Sequence, residues 1–250
     1  MDSVYTSRQQ HQILVVAAHP DDEVLGCGGT IAKHALQGDL VRVVLLSEGI
    51  TSRDRQRDRQ RRESELIALA QAARQAGEIL GITSLVQHEF PNNRLDSCDL
   101  LDIVKVIEQA IQEYRPDIIY THHAHDLNID HRLVHQAVLT ASRPLPGSSV
   151  KTILFFEIAS STEWQTPTSA PAFAPNWFVD ISDTLDIKLK ALATYKSEMC
   201  PWPHPRSLEG LEYLSRWRGA TVGMVAAEAF ILGRNLIHSL DSTNGAITKI

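Results

Sequence analysis

The chain has 250 residues, 43% of them hydrophobic, and a formal net charge of −6, which suits one large α/β domain or two small ones at ~100–200 residues per domain. It shows no extended basic face and no apolar run near the ~20 residues that cross a bilayer, which argues against nucleic acid as the main partner and against a membrane span. Residues 1–12 are polar and lack the apolar stretch of a secretory signal, and the scattered Cys27, Cys98 and Cys200 do not form a disulfide framework, so a cytoplasmic, reducing location is expected.

Strand-like runs occur at 13–18, 41–47, 84–90, 117–122 and 151–156, and helical patterns at 25–36, 57–80, 100–114 and 131–141. This alternation predicts a mostly parallel, Rossmann-like α/β sheet with right-handed crossovers and helices on both faces. The Ser/Thr/Pro-rich stretch 160–175 reads as a loop. An edge strand at 177–181, a helix at 185–195 and a last helical region at 208–232 follow. No linker or repeat divides the chain, so a single domain is expected, with residues 1–12 and about 240–250 as flexible tails.

The chemistry gathers at two strand ends. The first apolar run stops in His19-Pro20-Asp21-Asp22-Glu23, followed by a turn containing Gly26, Gly28 and Gly29. Burying that much acid beside a hydrophobic strand is costly unless a cation offsets it, which points to a divalent metal. The fourth run ends in four His and two Asp between His122 and His131. A loop rich in histidine is often only a solvated turn. In a doubly wound sheet, however, the first and fourth strands flank the switch point, so both clusters can face one crevice. His19, Asp22 and one histidine of the second cluster would make three ligands and leave a position for water, as in a catalytic zinc site.

The run Ala18-His19-Pro20-Asp21-Asp22-Glu23 with Gly26–Gly29, together with Asp126-x-Asn128-x-Asp130-His131-Arg132, resembles the PIG-L/LmbE-type zinc-dependent N-deacetylase family. The segments Phe90-Pro91-Asn92-Asn93-Arg94-Leu95-Asp96 and Ala227-Glu228-Ala229-Phe230 resemble it more weakly. The resemblance implies a Rossmann-like fold, one Zn²⁺ per chain held by His19, Asp22 and His131, Asp21 as general base, and hydrolysis of the acetamide of an amino sugar or sugar conjugate. A homo-oligomer is compatible with it.

One departure from the family's pattern is Asn128, where many members carry the histidine assigned to the oxyanion or the leaving group. Asparagine can donate to an oxyanion but cannot shuttle a proton. The proton donor is then Asp21 itself, His123, His125 or His204, with Asp21 favoured as both base and acid. Glu163, Trp164, His204 and Arg206 are expected to contact substrate: the segment from Glu157 to Trp164 resembles one in a bacterial branch of the family, and the Pro-rich stretch around His204 is too polar for core. Glu23 is expected to favour the helix N-terminus, His135 to pack or support a ligand, and Cys27 to be a small turn residue. The six arginines between Arg53 and Arg62 read more simply as the solvated start of a helix than as a phosphate site. The competing reading is a metal- or sugar-binding protein on this fold that has lost turnover. A metal phosphoesterase is weaker still, because it would usually want two metals and more carboxylates.

Overall fold

The computed structural model describes residues 10–168 and 170–237. Strands β1 (Gln12–Ala17), β2 (Leu40–Ser47), β3 (Ser84–Phe90), β4 (Ile118–His122), β5 (Thr152–Phe156), β6 (Trp177–Asp180) and β7 (Ala227–Asn235) form one sheet in the order β3-β2-β1-β4-β5-β7-β6. The first five are parallel, and β7 runs antiparallel between β5 and β6. Helices are α1 (Asp22–Leu36), α2 (Glu63–Leu80), α3 (Leu100–Tyr114), α4 (Ile129–Ala141), α5 (Leu185–Leu192) and α6 (Leu208–Ala220).

β1 is apolar from Ile13 onward because both of its faces are covered. Ile13, Val15 and Ala17 pack with residues of α1, α2 and α5, while Leu14, Val16 and Ala18 pack with α3 and α4. α3 buries one stripe, Ile103, Val104, Ile107 and Ala110, whereas α1 is buried all round from Asp22 to Ala32. The strand order reverses between β1 and β4, so the two ligand-rich strand ends adjoin.

Several expectations need correction. The region 208–232 is not one helix. α6 ends at Ala220 and the chain returns as β7, whose Ala, Glu and Leu are good helix formers overruled by pairing on both sides. The helix expected from Arg57 starts at Glu63, because the preceding arginines are committed to lateral ion pairs. α1 starts at Asp22 rather than after a glycine turn, so Asp22 and Glu23 form its first turn. Its glycines serve close packing instead: a Cβ on Gly26 would collide with the Phe156 ring. The N-terminal tail stops short of residue 12, since Gln12 opens β1 and His11 Nδ1 lies 2.8 Å from Asp117 Oδ2. Residues 1–9 of that tail, and the tail at 240–250, lie outside the described residues.

Candidate metal and catalytic site

At the carboxyl end of β1 the chain turns sharply through Asp21, which has φ 109° and is therefore in a region that L residues rarely occupy. Two acceptors hold the turn. The His19 amide donates to Asp22 Oδ2 at 2.9 Å, and the Asp21 amide donates to Glu23 Oε2 at 3.0 Å. The other Glu23 oxygen accepts the Tyr195 hydroxyl. Glu23 is thus a buried brace for Asp21, rather than a carboxylate serving the helix dipole alone. Burial lifts its pKa to about 7 against the pull of the Tyr195 hydrogen bond.

Three potential ligand atoms meet in the crevice. His19 Nδ1 and Asp22 Oδ2 are 3.0 Å apart, His131 Nε2 and Asp22 Oδ2 3.2 Å, and His131 Nε2 and His19 Nδ1 3.2 Å. Zinc bonds of ~2.0–2.1 Å in a tetrahedron put neighbouring ligand atoms about 3.3 Å apart, so this triangle has the right edge for one ion. Its charge demand fits too. Burial opposes protonation of His19, yet Asp22 and Asp130 outweigh it and lift the imidazole to about 10. The same contest raises His131. Burial alone would raise Asp22, but the two imidazoliums hold it well below the carboxylate range. The site collects positive charge, and Asp22 Oδ1 is buried without a hydrogen-bond partner. The residues fit a divalent cation.

Carboxylates fix both imidazoles from behind, as supporting groups commonly do for metal-bound histidines. His19 Nε2 lies 3.1 Å from Asp130 Oδ2, and Asp130 Oδ1 accepts the Leu95 amide. His131 Nδ1 lies 3.0 Å from Asp126 Oδ1, and Asp126 also accepts the Ser161 and Thr162 hydroxyls. His122 stacks on His131 at 4.0 Å, and its Nε2 accepts the Ala18 amide. These supporting roles escaped the sequence reading, although Asp126 and Asp130 stood within the quoted motif.

The adjoining cavity, about 170 Å³, is lined by His19, Asp21, Arg53, Asn93, Asn128 and Arg206 among others. Asp21 Oδ2 accepts Arg206 Nη1 at 3.0 Å. Burial lifts Asp21 to about 8 against the pull of that guanidinium. Asn128 has a structural task in addition to lining the cavity. It is the N-cap of α4, its Oδ1 accepting the Asp130 amide at 2.9 Å while Nδ2 donates to Asn93 Oδ1. An Asn just upstream of a helical pattern was the available signal.

The other candidates separate. Glu163 binds the Ser160 and Ser161 amides of its own turn, and Glu157 pairs bidentately with Arg218 at 2.6 and 2.7 Å. Of the segment from Glu157 to Trp164, the Trp164 indole keeps a free face, packing edge-on against His204 at 5.7 Å. Neither His204, His123 nor His125 lines the cavity. His123 is buried against Phe173. His135 bonds the His122 carbonyl and packs on Phe155, and Cys27 is buried at a break in α1. The arginine run is held in place by acids: Arg57 binds Glu48, Arg59 binds Glu89 and Arg62 binds Asp54. No helix among the described residues is long and apolar enough to cross a membrane.

The chain is similar to several known proteins. Residues 14–142 match the family model described as PIG-L, GlcNAc-PI de-N-acetylase. The "Uncharacterized deacetylase YaiS" of Escherichia coli is 29% identical over 198 residues, covering 77% of this chain and 94% of that protein. The "Probable N-acetyl-alpha-D-glucosaminyl L-malate deacetylase 2" of Bacillus cereus is also 29% identical, over 76% of this chain and 84% of its own. Among solved structures, N,N'-diacetylchitobiose deacetylase from Pyrococcus horikoshii superposes with a TM-score of 0.69 at 20% identity, covering 89% of this chain and 83% of that one. GalB, a 4-carboxy-2-hydroxymuconate hydratase from Pseudomonas putida, reaches 0.72 at 23% identity over 91% and 98%. Likeness at that identity establishes the fold alone, and a hydratase among the neighbours shows that this fold hosts more than one chemistry. With more than half of its length matched by the family model, the chain belongs to the PIG-L (GlcNAc-PI de-N-acetylase) family.

Proposed function

We propose that this protein is a zinc-dependent hydrolase that removes the acetyl group from an N-acetylated amino sugar or sugar conjugate in the cytoplasm. The observation that carries the reading is the triangle of His19, Asp22 and His131 ligand atoms with Asp21 beside it and free of it. Curated relatives named as deacetylases support the choice of reaction.

In this reading His19 Nδ1, Asp22 Oδ2 and His131 Nε2 hold one Zn²⁺, and Asp126 and Asp130 orient the two imidazoles. When bound, the ion supplies Lewis acidity for the acetamide carbonyl and lowers the pKa of a water. Asp21 takes the water's proton at Oδ1, since Oδ2 accepts from Arg206. It then returns that proton to the departing amine, because His123, His125 and His204 do not line the cavity. Asn128 offers the remaining N–H of its amide to the developing oxyanion. Arg206 and Trp164 are the substrate contacts that this reading retains, with Glu163 and His204 shaping the turns that present them.

A binding protein without turnover would have no use for an unligated carboxylate braced at φ 109°. The deciding experiment is metal analysis of the purified protein, followed by acetate release from N-acetylglucosamine and its lipid-linked, nucleotide-linked and oligosaccharide conjugates. Stoichiometric zinc with acetate release is expected. Tight zinc with no acetate from any substrate would replace this reading with the binding protein.

A further inference from the structure

Helix α6 carries its largest side chains on the face turned away from the protein. Its buried stripe is Leu211, Ser215 and Gly219. A Cβ on Gly219 would come within 2.7 Å of the Met224 carbonyl oxygen, so the chain returning toward β7 leaves no room there for bulk. At 3.6 residues per turn, positions 213 and 217 lie roughly opposite that stripe. Tyr213 is 57% and Trp217 65% exposed. A surface helix ordinarily points its apolar side chains at the core. One turn apart, these two rings are neighbours on the helix. Trp202, 56% exposed, packs edge-on against Tyr213 at 5.4 Å and extends the row onto the preceding loop.

At ~150–250 Å² per aromatic side chain, the open fractions of the three rings leave roughly 350 Å² of continuous aromatic surface. A lone exposed ring is ordinary, but a patch of a few hundred Å² is the size of an interaction site. It is close to half of the ~800 Å² that each partner gives to a stable pair. The charges around the rings select what covers them. Glu209 and Glu212 stand toward the start of α6 and Arg216 toward its end. Glu212 and Arg216 pair with each other at 2.8 Å, 36% and 50% exposed. A pair so open contributes little and can exchange partners at small cost. In a two-fold contact residue i meets j while j meets i. An antiparallel crossing centred between positions 212 and 216 sets Glu212 of each copy opposite Arg216 of the other and brings the Tyr213 and Trp217 rings together at the axis. A parallel crossing would set like charge on like. The chain's net charge of −6 disfavours an anionic lipid surface and leaves room for a second copy only where opposite charges meet.

We propose that this face is a two-fold interface between copies of the chain, with α6 packed antiparallel on the partner's α6 around Trp202, Tyr213 and Trp217. The interface does not depend on the reaction at the cavity, and it stands or falls apart from the deacetylase reading.

The test is sedimentation velocity of the full chain across ~1–100 µM. Wild type should sediment as a dimer, or as a larger assembly with an even number of chains. Trp217→Glu should halve that number while circular dichroism keeps its wild-type form, because the position faces solvent in the single chain. Arg216→Glu sets acid on acid across the two-fold, and Glu212→Arg sets base on base. Each should weaken association by about tenfold or more. An equimolar mixture of these two variants should associate again as a heterodimer, which loss of the Glu212–Arg216 pair within one helix cannot produce. A mixture that stays apart would overturn the antiparallel arrangement. A wild-type protein that remains monomeric at ~100 µM, or an assembly that Trp217→Glu leaves intact, would overturn the interface. So would a monomeric protein that floats with phosphatidylcholine vesicles in a Trp217-dependent way, since the face would then belong to lipid.

Discussion

Arg206 donates from Nη1 to Asp21 Oδ2 across 185 residues of sequence, so the group proposed as general base is clamped by a guanidinium from the other side of the cavity. Glu23 fixes the backbone of Asp21 and Arg206 fixes its carboxylate, which leaves one oxygen, Oδ1, to exchange a proton. Removing the carboxylate and removing its clamp should therefore have different signatures.

Asp21→Asn should keep the metal and lose turnover by ~10²–10⁴-fold, the size of a general acid–base contribution. Arg206→Ala should lower kcat by less, about tenfold to a hundredfold, since Asp21 remains but is no longer oriented. Arg206→Lys should recover part of that loss, because lysine keeps the charge without the planar fork. Steady-state kinetics with parallel metal analysis decide it. Metal loss in Asp21→Asn equal to its activity loss would make Asp21 a ligand.

The parts of this arrangement that were legible in the sequence are local in the chain. His19, Asp21 and Asp22 are consecutive or nearly so, and the apolar run before them announces a buried parallel strand. The second ligand-rich strand end could be placed opposite because alternating strands and helices restrict the sheet to few orders. What could not be read depends on distant partners. Arg206 meets Asp21, and Tyr195 meets Glu23, only through the folded loop and α5 region. The strand β7 was hidden for another reason. Its Ala227-Glu228-Ala229-Phe230 composition favours a helix locally, and only the flanking strands β5 and β6 make it extended.

Metal removal should destabilise the protein in a pH-dependent way. In the metal-free protein the His19 pKa rises from an unfolded value of 6.5 to about 10. A raised folded pKa contributes stability that is fully present below the unfolded value and fades as pH climbs through the folded one. Chelated protein should therefore lose Tm between pH 7 and pH 10, while zinc-loaded protein, whose imidazoles are already deprotonated, should lose less. Zinc titration of the chelated protein at pH 7 should release protons, visible as a dependence of the calorimetric heat on buffer ionisation enthalpy. His19→Ala and His131→Ala should abolish stoichiometric binding. Proton-silent binding at pH 7 would remove His19 from the ligand set.

Asn128 should show two separable effects. As the N-cap of α4 it satisfies the Asp130 amide, and loss of such a cap costs about 1 kcal/mol. That corresponds to a Tm drop of roughly 2–4 °C for a domain of this size. Asn128→Ala should therefore lose both stability and turnover, the latter by no more than ~10²–10³-fold. Asn128→Asp keeps a good capping oxygen but has no amide donor, so its Tm should stay closer to wild type while turnover falls. Wild-type turnover in both variants would leave Asn128 as a cap alone.

A buried ion pair behind the site should prove expensive to break. α1 is interrupted at Cys27, where φ −149° and ψ 25° depart from helical values. The loose backbone groups on either side are taken up by later elements. Glu228 of β7 accepts the Gly29 amide at 2.9 Å and the Thr30 amide at 2.7 Å. Lys188 of α5 donates to Glu228 at 2.6 Å and to the Leu25 carbonyl at 2.9 Å. Both side chains are buried, so removing one partner strands a charge in the interior, typically at a cost of 3–5 kcal/mol. Lys188→Met leaves the Glu228 carboxylate unpaired by a cation and should lower Tm by roughly 6–20 °C. The double variant Lys188→Met/Glu228→Gln carries no charge, and its Gln oxygen can still accept from an amide. Its Tm should therefore lie above that of Lys188→Met. Thermal unfolding of the three proteins measures the coupling, and a double variant no more stable than Lys188→Met would show that the lysine stem's packing, rather than the pairing of charges, holds the broken helix.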